Sequence, residues 1–292
     1  MLVPSKYGRG TLLAPGGIRG AIEHLENKER ANDFMIKRLG RNLGGARIIP
    51  TSFVTEYEVR DGVRVPYGAD VPSSGRPDEM IYKHKRLHYP MVPSLSQYIE
   101  AMPAVINRNR ARGGKREILR RAFSDIDEIF GSDEQARRRF LDEAYRNLSK
   151  NFRTEKGRLS YLDDIMENMR ILHNKGRIAH GDLHGENIRI YRGKPYFEDF
   201  GKYVDLQEAA MKPAVLDRTS KREIVEGIGE DVLRVANNFR NIVPREAVEK
   251  RINRYIEGLD YPERIKQGVR EYVRDHPWYL DYVSFMNGFP NI

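Results

Sequence analysis

The stretch from Leu159 to Gly201 leaves few folds open to this chain. Leu159, Leu162, Ile165, Met166, Met169 and Leu172 recur at three- and four-residue spacing, the apolar stripe of an amphipathic helix, and Gly176 supplies a stop. Directly behind comes His180-Gly-Asp-Leu-His-Gly-Glu-Asn187. Then follow a strand pattern in Ile188-Arg-Ile-Tyr191, a turn at Arg192-Gly193-Lys194, a second short strand in Tyr196-Phe-Glu198, and Asp199-Phe-Gly201. Short loops at the end of such a hairpin bring Asp182, Asn187 five residues on, and Asp199 twelve beyond it to one place. Hard oxygen ligands of this kind suit a metal-held triphosphate, and an attacking hydroxyl needs a carboxylate to accept its proton.

The rest of the chain reads as a small β-containing part followed by a large helical one. After a Gly- and Pro-rich start, Ile22 to Leu43 has a helical pattern carried by Phe34, Met35, Leu39 and Leu43, with Gly44-Gly45 as its stop. Thr51 to Tyr67 alternates like a strand pair around Asp61-Gly62, a strong hairpin signal, and Glu79 to Lys85 reads as a further strand. Ser94 caps a helix, and amphipathic helices follow around 117–130 and 133–149. From Leu206 the chain is mostly helical and ends in an aromatic tail of Trp278, Tyr279, Tyr282, Phe285 and Phe289, read as core or cap packing. The expectation is an α+β chain, with an N-terminal lobe over 1–88 and a helical C-terminal lobe over 89–292.

Composition narrows the function classes. With no cysteine there is no disulfide framework and no thiolate chemistry. No apolar run is long enough to span a membrane, and the N-terminus lacks the apolar core of a secretory signal. A cytoplasmic location fits these features, with delivery into another cell left open. The net charge of +9 favours anionic partners, and the excess is uneven. Between residues 108 and 121 stand Arg108, Arg110, Arg112, Lys115, Arg116, Arg120 and Arg121 against the single acid Glu117. That run is read as a solvated loop, with a docking patch for an acidic partner as the alternative.

His180-Gly-Asp-Leu-His-Gly-Glu-Asn187 followed by Asp199-Phe-Gly201 resembles the catalytic loop and metal-binding turn of the protein-kinase-like superfamily, which protein kinases write as H-R-D-L-x-x-x-N and D-F-G. The His-Gly-Asp-Leu-His form is nearer to atypical kinases and to aminoglycoside and choline phosphotransferases. The resemblance covers roughly residues 22 to 245. It implies a two-lobed kinase-like fold with a reduced N-lobe, ATP as substrate and magnesium as cofactor. By position, Asp182 would orient the acceptor hydroxyl and take its proton, and Asn187 and Asp199 would hold the metal. His184 would donate to the γ-phosphate, His180 would support the loop from beneath, and Gly201 would let the chain turn after the metal ligand. The leading expectation is an atypical protein kinase. A small-molecule kinase, a pseudokinase scaffold and nucleotidyl transfer stand as alternatives. A cationic small-molecule acceptor would call for an acidic pocket, for which Glu223, Glu226, Glu230 and Asp231 are available.

Two registers compete in the N-terminal part. In one, Gly17 and Gly20 end a phosphate loop and Phe34-Met-Ile-Lys37 is the strand carrying the ATP-binding lysine. In the other, Glu29 to Leu43 is the regulatory helix of the small lobe, Ile49-Pro50 leads into the next strand, and no lysine is identified. The helical stripe and the Asp61-Gly62 hairpin favour the second. Among lesser candidates, Asp231 either anchors the catalytic loop or starts a helix. Thr219-Ser220 is a phosphorylation candidate. His84 and His88 have zinc-ligand spacing without a third ligand.

Overall fold

The computed structural model describes residues 9–15, 30–31, 34–35, 37–38, 45–48, 52–54, 57–60, 63–66, 79–87, 93–106, 115–123, 126, 133–207 and 218–276, with the five strands up to Leu87 known by their backbone. These residues form an α+β structure that is mostly helical, with small sheets. Strands β1 (Arg9–Pro15), β2 (Ser52–Val54) and β5 (Glu79–Leu87) make an antiparallel sheet in the order β1-β5-β2, in which Arg9 faces Lys85 and Ser52 faces Leu87. Strands β3 (Tyr57–Arg60) and β4 (Val63–Pro66) pair antiparallel, with Arg60 facing Val63, as the hairpin reading expects; Asp61 and Gly62 lie outside the described residues.

The described residues between 30 and 38 are helical, with Ala31 and Met35 buried and Lys37 exposed. This favours the helical register and corrects the strand reading of Phe34 to Lys37, because Ala31 and Met35 four apart face one side of a helix. Gly17, Gly20 and Glu29 lie outside the described residues. The helical stretch rests on the chain just beyond Asp199-Phe-Gly201. Phe34 stacks on Tyr203 with ring centroids 4.5 Å apart, and Arg38 donates to Asp205 at 2.6 Å. Downstream, Arg47 fastens the next segment. Its Nε donates to the carbonyl of Pro195 and a terminal nitrogen to that of Asp164, while its backbone exchanges hydrogen bonds with the Asn168 side chain. Ile48 forms a lone parallel bridge with Phe197, where the sequence suggested a strand entry at Ile49-Pro50.

Helix α1 (Leu95–Ala101) starts at a full capping box, Ser94 accepting from the Gln97 N–H and Gln97 accepting from that of Ser94. Short helices α2 (Pro103–Ile106) and α3 (Lys115–Ala122) follow, so part of the basic run is helical, and Arg121 pairs with Glu117 one turn back. Helix α4 (Glu134–Asn151) leads to α5 (Glu155–Ile171), whose first turn is capped by Thr154. The stripe predicted for α5 is its buried face, with Leu162, Ile165, Met166 and Met169 in the core. The helix closes in a π turn, Leu172–Gly176, and Arg177 in a left-handed conformation turns the chain into β6 (Ile178–Ala179).

From here two antiparallel ladders nest. The outer one pairs β6 with β9 (Val204–Asp205), and the inner one pairs β7 (Ile188–Tyr191) with β8 (Lys194–Phe197). Arg192 and Gly193, both at positive φ, make the tight inner turn. Three long helices complete the described residues, α6 (Arg218–Phe239), α7 (Arg245–Glu257) and α8 (Glu263–Asp275). α6 and α8 approach closely, since a Cβ on Gly229 would lie 2.3 Å from the Tyr272 ring. No described helix is long and apolar enough to cross a membrane. Trp278 and the other tail aromatics lie outside the described residues.

Candidate active site

Between the nested ladders the chain runs out and back, first over 180–187 and then over 198–203. A segment pinned at both ends by ladders cannot drift from its return strand, so the two loops lie side by side. Direct bonds join them. The Glu198 N–H donates to the Asn187 carbonyl at 3.0 Å, and His180 Nε2 donates to the Glu198 carbonyl at 2.8 Å.

Asp231, on α6, holds the first loop from behind. It is fully buried and accepts the backbone N–H groups of His180 at 2.6 Å and Gly181 at 2.9 Å, and it also meets His173 Nε2 at 3.0 Å. Of the two readings of Asp231, the loop anchor is what the structure contains. His173 in turn bonds the Tyr255 hydroxyl, and its carbonyl accepts from Tyr261. The support therefore reaches from the loop through α6 to α7.

His180 lies under the loop. Its ring packs on Phe200 with centroids 4.4 Å apart and edge-on to Phe197. With Nε2 donating and Nδ1 accepting from the Asp182 N–H, the ring is the neutral tautomer, and burial pushes its pKa down. This is the packing role expected of it. In the second loop Asp199 is held at φ 61, and the Tyr203 N–H donates to the Phe200 carbonyl at 3.2 Å across Gly201-Lys202. Asp tolerates that conformation better than most residues, and the chain turns directly afterwards at Gly201-Lys202, as expected of the glycine.

Asp182 is the centre of charge. Its Oδ2 meets Lys202 Nζ at 2.9 Å and its Oδ1 meets an Arg234 nitrogen at 3.0 Å, with His184 Nε2 at 3.9 Å. Partial burial alone would raise its pKa. The Lys202 hydrogen bond and the charges of Lys202, Arg234 and His184 outweigh that and hold the carboxyl below its usual range. Asn187 is buried, and its Nδ2 donates to the Asp182 carbonyl at 2.8 Å, which leaves the Oδ1 end of the amide for another partner. His184 sits beside it, half exposed, with Nε2 3.3 Å from Asn187 Nδ2. Asp182, His184 and Asn187 thus share one loop, and Asp199 stands on the neighbouring loop of the nest.

Sequence reasoning passed over Lys202 and Arg234. Arg234 stands three residues after Asp231 on the same helix, so the turn that anchors the loop also presents a cation to it. Glu230 holds that guanidinium from the other side at 2.7 Å. The acids proposed for a cationic pocket are largely committed elsewhere. Asp231 is buried under the loop, Glu230 pairs with Arg234, and Glu226 pairs with Arg222. His84 lies in β5 and His88 outside the described residues, among which no three His, Cys, Asp or Glu side chains cluster as a metal site.

Residues 139–246 match the family model of the RIO domain, a segment that contains Asp182, His184, Asn187, Asp199, Lys202, Asp231 and Arg234. RIO kinases are atypical protein kinases of the protein-kinase-like superfamily, and it is to their domain that this segment is similar. No curated protein and no solved structure matches it.

Proposed function

We propose that the chain is an ATP- and magnesium-dependent phosphotransferase, an atypical protein kinase that transfers the γ-phosphate to a hydroxyl. The observation that carries this reading is the pair of nested ladders, in which the loop of Asp182 and Asn187 lies beside the loop of Asp199, within the segment that matches the RIO domain. The donor chemistry fits magnesium, which takes one or two protein carboxyl or amide oxygens and leaves its other positions to phosphate and water. Asn187 through Oδ1, and Asp199, are the residues to hold it. When bound, the metal would neutralise charge on the transferring phosphate.

The protein's own part is positional. Asp182 accepts the acceptor hydroxyl and orients it, and His184 at the loop edge is the group for the γ-phosphate. The lobes at 1–88 and 89–292 are part of the same reading, with the β1-β5-β2 sheet and the helical stretch between 30 and 38 as the reduced small lobe. Lys37, helical and exposed, is set aside as the ATP lysine.

Asp199→Ala tests the proposal. With labelled ATP and magnesium, the variant should fold as the parent does and lose turnover. Turnover at the parent rate would sink the assignment. Absence of turnover in the parent would favour a scaffold, and label carried from the α- rather than the γ-phosphate would mark nucleotidyl transfer.

A further inference from the structure

We propose that Lys202 and Arg234 select an acceptor whose hydroxyl lies beside an anionic group, in the form of an acidic serine or threonine peptide; this rests on the phosphotransferase reading above. Both oxygens of Asp182 are occupied by cations, Lys202 on Oδ2 and Arg234 on Oδ1. An acceptor hydroxyl that is to bind Asp182 must therefore displace one of them or share its oxygen.

The two cations differ in how firmly they are held. Arg234 is one-third exposed and fixed by Glu230, which itself accepts from the Tyr272 hydroxyl at 3.5 Å. Lys202 is 68% exposed at the end of a flexible side chain, and Asp182 is its ion-pair partner. Lys202 is thus the group that yields. A lysine moved off a carboxylate costs least when a second anion receives it. An acceptor bringing a carboxylate or phosphate next to its hydroxyl makes that exchange, and Arg234 remains beside it as a second cation.

A cationic acceptor finds the opposite. It would meet Lys202 and Arg234 at the base, and three of the four acids that could have received it are buried or paired. A neutral acceptor would displace Lys202 into water with nothing gained. The ordering expected is acidic, then neutral, then basic.

The test uses the full chain with ATP and magnesium and three serine peptides of one length, flanked by Glu, Ala or Lys. Choline and glycerol 3-phosphate serve as small-molecule acceptors. The Glu-flanked peptide should exceed the Lys-flanked one in kcat/KM by about tenfold or more, and the ratio should shrink as salt rises. Lys202→Gln and Arg234→Gln should each cut that ratio by about fivefold, the scale of one partly exposed ion pair. Because the readout is a ratio, a general loss of rate in the variants does not disturb it.

Preference for the Lys-flanked peptide or for choline overturns the inference, as does a ratio that both variants leave unchanged. Preference for glycerol 3-phosphate over every peptide overturns the peptide assignment. ATP hydrolysis followed in the same reactions separates the two levels. Hydrolysis without acidic preference sinks this inference alone, whereas no hydrolysis and no transfer anywhere sinks the phosphotransferase reading and this inference with it.

Discussion

Gly181 stands where protein kinases place an arginine, and the fold gives a steric reason for it. Its φ is +75, and a Cβ there would lie 2.1 Å from the Lys202 carbonyl oxygen and 3.0 Å from the carbonyl carbon. Ordinary contact begins at 3.4 Å, so Gly181→Ala must push the two loops apart by about 1.3 Å or twist Gly181 away from Asp231. The left-handed backbone adds about 1–2 kcal/mol of strain. Displacing a catalytic group by ~1 Å costs on the order of a hundredfold in rate. The matched control is Gly193→Ala in the hairpin turn. Its φ is +74, and the nearest atoms stand 3.5 Å from the added carbon, so it carries the backbone strain without the collision. Urea denaturation should show both variants destabilised by about 1–2 kcal/mol from backbone strain, with more for Gly181. Steady-state ADP formation should fall about a hundredfold in Gly181→Ala and stay near the parent in Gly193→Ala. If Gly181→Ala keeps the parent rate within about threefold, the close approach of Lys202 does not set the loop geometry and the reasoning fails.

Two further outcomes follow from the charges around the loop. Asp231→Ala strips the buried His180 N–H and the part-buried Gly181 N–H of their acceptor, at about 1–3 kcal/mol for the buried one, so the urea midpoint should drop sharply, and Asp231→Asn should recover part of the loss. Asp182 has its folded pKa depressed, so the stability it contributes is present above its unfolded value of about 4 and is lost as pH falls through the lower folded value. Lys202→Met removes the hydrogen bond and charge that lower it, and the acid limb of kcat/KM against pH should move to higher pH; an unmoved limb would mean that another group sets it.

The parts of this fold that sequence exposed are those where a local pattern has one structural solution. The α5 stripe, the β3–β4 pairing, the Arg192-Gly193 turn and the Ser94 cap each state their geometry within a few residues. Asp182, Asn187 and Asp199 were legible because their spacing is that of a loop, hairpin and loop. Lys202 and Arg234 were not, since a lysine after a glycine and an arginine in a charged helix look like solvated surface. Only the outer β6–β9 ladder and the anchoring of Asp231 bring them to Asp182. The positive φ of Asp199 had no signal in the sequence, since an aspartate takes that conformation only where its surroundings require it. The strand reading of Lys37 failed because a run as short as the three apolar residues before it fits a strand and a helix alike until its buried face is known.

The pairing of Asp182 with two cations bears on how it could act as a base. A carboxylate held below its ordinary pKa is a weak proton acceptor, yet a loose phosphoryl-transfer transition state asks more for orientation of the hydroxyl than for early proton removal. Asp182 is oriented before any acceptor arrives, since the backbone beside it is fixed by Asp231 and its own carbonyl by Asn187. If the acceptor draws Lys202 away, the strongest influence lowering the Asp182 pKa leaves with it, and the carboxylate becomes more basic in the complex than in the free protein. Acceptor binding and base strength are then one event. The same exchange explains why Arg234 is tied to Glu230 and Lys202 is not, because one cation must stay to hold the carboxylate in place while the other departs.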